Sequence, residues 1–363
     1  MSTSFFRDLS TRTPTRVWIN NPTFDEIGLA LANGAVGCTT NPGYGGGLLR
    51  RAPEEIRPII ADCVRLTDDD AAAADLVQMR LVSRIVERFR PLYDDSAGQY
   101  GYVSIQGRPD ADDDPTLIVA QARAGHAIGP NATPKLPATA AGLDALEVIV
   151  ADGCPVIVTE VFSLAQLVEA CERYVQTTIR TGVRPPFFIS PITGIFGDHL
   201  KTVAKKHNLP VAREDMELVG LVLGRECQQL VEERSYPVRL LCGGARISLD
   251  LLGMVGAAVH VTVNWSTFAE VLADPKPFDT GYEKPIDPVV LDRLASAFPD
   301  VKKAFALRGL TVDEFESFGP VQHFRNNFLE GWTAVRGAIA ETRAELALQG
   351  SRQSSKEGSR RAR

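Results

Sequence analysis

Short apolar runs alternate along this chain with longer segments whose apolar residues recur at helical spacing, a pattern that predicts parallel β/α architecture. The first run, Arg16 to Asn20, reads as a strand, and a helix follows through Glu26 to Ala32. Val36 to Asn41 reads as the second strand. After it come Pro42, a glycine-rich loop from Gly43 to Gly47 and two helices, the second an Ala-rich segment from Asp70 to Phe89. Tyr102 to Gln106 is the third strand, Ile128 to Lys135 contains the fourth and Val156 to Thr159 is the fifth. A helix from Leu164 to Thr181 leads into the sixth, Phe187 to Ser190. A long helical region, His199 to Glu233, precedes the seventh, Val238 to Cys242, and Val259 to Val263 is the eighth. Eight strands joined by helical connections predict an α/β fold, a closed (β/α)8 TIM barrel rather than an open doubly wound sheet. Asp287 to Leu348 reads as additional C-terminal helices, packed on the barrel exterior or at a subunit interface.

In such barrels the side chains that do chemistry sit at the carboxyl ends of the strands. That rule selects Asn20, Asn41, Gln106, Lys135, Thr159, Ser190, Arg246 and Asn264. Each has an ordinary alternative as a helix cap or turn residue, but so many polar groups around one mouth point to a site. Lys135 carries the most chemistry. It lies in N-A-T-P-K-L-P-A-T-A-A-G, Asn131 to Gly142, where residues around it and from Ala127 to Pro130 read as extended and a helical pattern begins at Ala140. An inward lysine there is desolvated, which lowers its pKa and frees the neutral amine to attack a carbonyl and form an imine. The alternative is a surface lysine snorkelling from a strand end.

The composition places this chemistry in one soluble domain. The chain has 363 residues, 44% hydrophobic and 23% charged, with no break between two halves. A barrel over 1–350 is expected, followed by a disordered basic tail over 351–363. A net charge of -6 argues against nucleic-acid or membrane partners. The start lacks a signal-peptide pattern, so a cytoplasmic location is expected. Six cysteines and five histidines are scattered without metal-ligand spacing, so metal-free, cofactor-free chemistry is expected.

Four segments resemble the transaldolase family in order and approximate spacing: V-G-C-T-T-N-P (Val36 to Pro42), K-L-P-A-T-A-A-G (Lys135 to Gly142), T-E-V-F-S-L-A-Q (Thr159 to Gln166) and I-S-P-I-T-G (Ile189 to Gly194). A fifth, F-x-x-F-G-P-V-Q-H-F from Phe315 to Phe324, resembles a closing element of bacterial transaldolases. The resemblance implies that Lys135 forms a Schiff base with a ketose or hydroxyketone, which is then transferred to an aldehyde. It also implies that Asn41, Thr40, Thr159 and Ser190 bind substrate or relay protons. It leaves a homodimer open.

Three positions depart from the family. Its strand-one aspartate, the base for carbon-carbon cleavage, falls on Asn20, and an amide cannot accept that proton. Its strand-three glutamate falls on Gln106, as in the smaller fructose-6-phosphate aldolase subgroup. The first phosphate-binding arginine falls on Ile195, and Arg246 stands near the second. A less charged, specialised substrate follows, rather than housekeeping pentose-phosphate metabolism. Two further readings remain: a Schiff-base lyase, dehydratase or carboligase acting on a non-sugar carbonyl compound, and a non-catalytic barrel serving as a binding subunit. The run Asp110 to Asp114 reads as a solvated helix N-terminus, Gly43 to Gly47 as a mobile loop over the site, and Glu160, by strand alternation, as pointing away from the lumen.

Overall fold

The computed structural model describes residues 4–275 and 280–361, with side chains as far as residue 349. A helix α1 (Phe5–Arg12) precedes the first strand and buries Phe6 and Leu9. Eight parallel strands then close into a barrel in sequential order. They are β1 (Arg16–Asn20), β2 (Cys38–Thr39), β3 (Val103–Gln106), β4 (Ala132–Pro137), β5 (Val156–Val161), β6 (Phe187–Pro191), β7 (Arg239–Ala245) and β8 (His260–Asn264). Pairing of β1 with β8, from Arg16 opposite His260 to Asn20 opposite Asn264, seals the ring. The closed (β/α)8 barrel is therefore as expected.

The connections are α2 (Phe24–Ala32), α3 (Tyr44–Arg51), α4 (Pro53–Val64), α5 (Asp70–Asp95), α6 (Pro115–His126), α7 (Ala140–Ala151) and α8 (Leu164–Thr181). They continue with α9 (Thr193–His207), α10 (Arg213–Glu233), α11 (Ser248–Leu252) and α12 (Trp265–Ala273). Their apolar faces close the outer core, and polar caps set the starts of several. Thr23 and Glu26 form a capping box on α2, and Thr139 accepts a bond from the Gly142 amide at the head of α7. Beyond the barrel lie α13 (Pro288–Ala297), α14 (Pro299–Ala304), α15 (Val312–Phe315) and the long α16 (Gly319–Arg361).

Several local expectations change. Ala127 closes α6 in helical geometry and 128–130 form a turn, so β4 begins only at Ala132 and runs past Lys135 to Pro137. Strand β2 shrinks to Cys38–Thr39, because the residues after it turn early into α3. The long region from His199 divides into α9 and α10, with Asn208 in the left-handed conformation at the break. The backbone of 351–361 continues α16 as helix where composition suggests a disordered tail, since extending an existing helix needs no new nucleus. Residues 362 and 363 lie outside the described residues.

The glycine-rich segment is the largest change. It does not form a loop: Tyr44 starts a helix there, with Tyr44 fully buried. A Cβ on Gly45 would meet Val335 at 2.7 Å, and one on Gly46 would meet the Gly331 backbone at 2.6 Å. The glycines are contact surface, letting α3 lie against α16.

Candidate active site

The lower lumen is plugged. Trp18, Tyr102, Ile157, Phe188 and Leu241 form one buried cluster, and Trp18 Nε1 donates to His260 Nδ1 at 2.7 Å. Because strand side chains alternate, the residues two positions further on rise on the same inner face: Asn20, Ser104, Thr159, Ser190, Gly243 and Thr262. Gln106 and Lys135 are register partners on β3 and β4, so they reach the mouth side by side.

Lys135 is 6% exposed and makes no ion pair among the described residues. Burial lowers its pKa to about 8, and the negative charge of Glu160 opposes that shift. A lysine this deep without a carboxylate partner is not a snorkelling surface residue. Next to it, a cavity of about 20 Å³ is lined in part by Gln106, Asp112 and Lys135.

Glu160 overturns its expected direction. The register of β5 against β6 shifts between Val158 and Val161, and Glu160 itself takes a φ of 63°. The extra residue reverses the alternation locally. Gln106 Nε2 donates to Glu160 Oε1 at 3.0 Å, and Glu160 is 1% exposed. Gln166 holds the bulge: its side-chain amide donates to the carbonyls of Ala138 at 2.9 Å and Glu160 at 3.0 Å, while its oxygen accepts from the Phe162 amide. Burial, reinforced by Asp112, raises the Glu160 pKa to about 8 against the opposing pull of Lys135, Gln106 and Arg325. Gln106 Oε1, Thr159 Oγ1 and Glu160 Oε2 are all buried without a partner among the described residues. Such a concentration of unmet polar atoms is what a site built around a ligand leaves open.

The opposite wall is neutral. Asn20 Nδ2 donates to Asn264 Oδ1 at 2.8 Å, and Asn20 Oδ1 accepts from Thr39 at 2.9 Å. Thr39 in turn lies 2.6 Å from Thr262, hydroxyl to hydroxyl. Thr39, rather than Thr40, faces the lumen. Thr40 is fully buried, its hydroxyl donating to the Ser104 carbonyl at 2.6 Å. Asn41 uses its side-chain oxygen to accept from the Gly43 amide at 3.0 Å, which starts the turn into α3. Ser190 is 2% exposed, and a Cβ at Gly243 would press to 3.0 Å from its hydroxyl, so that glycine keeps room beside it.

At the far rim Arg246 follows β7 and lies 3.7 Å from Asp198. Its side chain is 43% exposed and its charge is partly neutralised. Ile195 is fully buried in the core. Asp114 caps α6 by accepting from the Thr116 amide at 2.8 Å, as expected of a helix N-terminus. Asp112, however, is not solvated. It is buried and ion-paired to Arg325, which reaches over from α16 and also pairs with Glu316 at 2.6 Å. Burial pushes the Asp112 pKa up to about 6, against the pull of Arg325.

Sequence reasoning thus brings Lys135, Gln106, Thr159, Asn20 and Ser190 to one mouth, and misses Thr39, Asp112 and Arg325. The Asp112–Arg325 pair spans more than two hundred positions and leaves no local signal. Among the described residues no group of histidines, cysteines or carboxylates is arranged to hold a metal, and the six cysteines are buried and free. No described helix is long and apolar enough to cross a membrane.

The chain is similar to the transaldolase of Neisseria meningitidis serogroup C, with 36% identity over 125 residues, covering 30% of this chain and 36% of that protein. It is 34% identical over 152 residues to Transaldolase 1 of Streptomyces avermitilis, covering 38% of this chain and 37% of that protein. A longer match, 29% over 275 residues, covers 72% of this chain and 67% of the transaldolase of a Parafrankia species. In the first two, then, the alignment spans little more than a third of the relative's length. The model of the Transaldolase/Fructose-6-phosphate aldolase family matches residues 17–311, the whole barrel, and the chain belongs to that family.

Proposed function

We propose that this protein is a transaldolase-like enzyme in which Lys135 condenses with a ketose or hydroxyketone donor, and the resulting enamine adds to an aldehyde acceptor. The observation that carries this reading is the buried lysine at the barrel mouth, unpaired among the described residues and with a depressed pKa. A neutral amine there attacks a ketone, and the iminium acts as an electron sink. Thr159 and Gln106 offer unmet oxygens near it, and in this reading Asn20, Asn41 and Ser190 orient the donor hydroxyls.

A specialised substrate is supported by the neutral Asn20–Asn264–Thr39–Thr262 wall and by the rim. A core-buried isoleucine stands at position 195, where the resemblance puts a phosphate-binding arginine, and the rim's Arg246 is already near Asp198. A phosphorylated acceptor gains little from such a rim. Schiff-base dehydration is a second reading, favoured by an amide where the cleavage base belongs and a buried carboxyl at Glu160.

The test is to incubate the protein with ketoses and hydroxyketones, reduce with borohydride and locate the adduct by mass spectrometry. An adduct on Lys135 supports both imine readings, and products formed with added aldehydes separate transfer from dehydration. Absence of any adduct across the panel would leave the non-catalytic barrel.

A further inference from the structure

Imine chemistry needs a proton donor as well as an amine, because the hydroxyl of the first adduct leaves as water. The amides of Asn20 and Gln106 cannot supply that proton. We propose that Glu160 is a catalytic acid–base group of this site, an inference that rests on the Lys135 reading. Its carboxyl protonates the hydroxyl that leaves the Lys135 carbinolamine and takes a proton back from water when the iminium is hydrolysed. As the C–O bond breaks, its electrons go to the departing oxygen, which Glu160 protonates to water. The nitrogen lone pair forms the C=N bond, leaving an iminium beside a carboxylate. An uncharged pair becomes an ion pair, so net charge in the buried site is unchanged.

Three features of the fold carry the assignment. First, the Glu160 carboxyl reaches this region only through the β5 bulge and a left-handed backbone, an arrangement unfavourable for a residue with a side chain and held by two bonds from Gln166. Second, Gln106 fixes one carboxyl oxygen at 3.0 Å and leaves Oε2 buried with no partner among the described residues. Third, neither cation near Glu160 holds it as a plain structural anion: Arg325 is already engaged with Asp112 and Glu316, and Lys135 makes no ion pair among the described residues. The charged groups facing Glu160 are Lys135 from β4, Asp112 from the loop after β3 and Arg325 from α16. Burial keeps the acid protonated near neutral pH, as a donor requires.

The experiment follows adduct formation by rapid quench with borohydride, using dihydroxyacetone as the probe, in wild type and Glu160→Gln. Were Glu160 instead an ionised partner that only tunes the lysine, removing its charge would make Lys135 easier to deprotonate. A role confined to tuning that charge therefore predicts trapping at pH 7 as fast as wild type or faster. The acid–base role predicts the opposite, a loss of roughly 10²- to 10⁴-fold. Glu160→Asp, which keeps a carboxyl and suits left-handed backbone better, should recover part of the rate. The wild-type pH profile is independent of whether the variants fold. It should rise as the amine deprotonates and fall as the acid does, and a profile that rises to a plateau through pH 10 would overturn the assignment. Absence of any adduct in wild type refutes the Lys135 reading itself. An adduct that forms at the wild-type rate in Glu160→Gln refutes only the role of Glu160.

Discussion

A Cβ placed on Gly46 would stand 2.7 Å from the Cα of Gly331, and one placed on Gly331 would stand 2.5 Å from the Cα of Gly43. Helices α3 and α16 therefore meet backbone to backbone, beside the mouth where Asn41 sits and where α16 presents Arg325. Gly46→Ala or Gly331→Ala should force the helices apart and cost about 1–3 kcal/mol, the usual range for overpacking. Urea unfolding midpoints measure this. An alanine at either position with an unchanged midpoint would mean that α16 shifts freely over α3.

Lys135→Met should abolish adduct formation and leave the fold intact, because the lysine is desolvated without an ion-pair partner. Its pKa is lowered from 10.5 to about 8 in the folded chain. Between those values the unfolded chain holds the extra proton, so stability should rise with pH from about 8 to 10.5. That slope should vanish in Lys135→Met. Denaturant unfolding across the window tests the sign, and wild-type turnover by the variant would remove Lys135 as nucleophile.

Glu160 should act in the opposite sense. Its pKa is raised from 4.5 to about 8, so the folded chain holds the extra proton between them. The associated stability is fully present below 4.5 and is lost as pH climbs through about 8. Glu160→Gln should therefore flatten stability between pH 5 and 8. If variant and wild type keep parallel curves there, the carboxyl is ionised in the folded protein.

Asn20→Asp should damage the native reaction. The new carboxylate would replace the amide that donates to Asn264, in a wall of hydroxyls and amides. Steady-state rates with the native substrate, and with fructose 6-phosphate, are the readouts. A gain of about a hundredfold in sugar-phosphate cleavage, with no other activity in wild type, would indicate decay of an ordinary transaldolase rather than specialisation.

Ile195→Arg should not install a phosphate site. Ile195 is sealed in the core against Gly244, so an arginine there is a buried charge and should destabilise by at least about 3 kcal/mol. Thermal melts decide this, together with competition by fructose 6-phosphate. A stable variant with tighter binding would mean that α9 can turn the side chain to the mouth.

Much of this was legible in the chain alone. Strand periodicity placed Lys135, Gln106, Thr159, Ser190 and Asn20 toward the carboxyl ends of their strands, because alternation and register are local consequences of backbone geometry. The ring of eight strands followed from their number and their helical connections. The same periodicity misdirected Glu160, since a single inserted residue reverses every inference from alternation, and the bulge depends on Gln166 bonding two carbonyls across a turn. The glycines after Pro42 were ambiguous for a similar reason. Their composition fits a mobile loop, and only the presence of Gly331 nearly three hundred positions later makes them a helix contact. The Asp112–Arg325 pair and the burial of Ile195 have the same character: they join elements distant in sequence, so the tertiary packing decides which charges are hidden and which side chains reach the mouth.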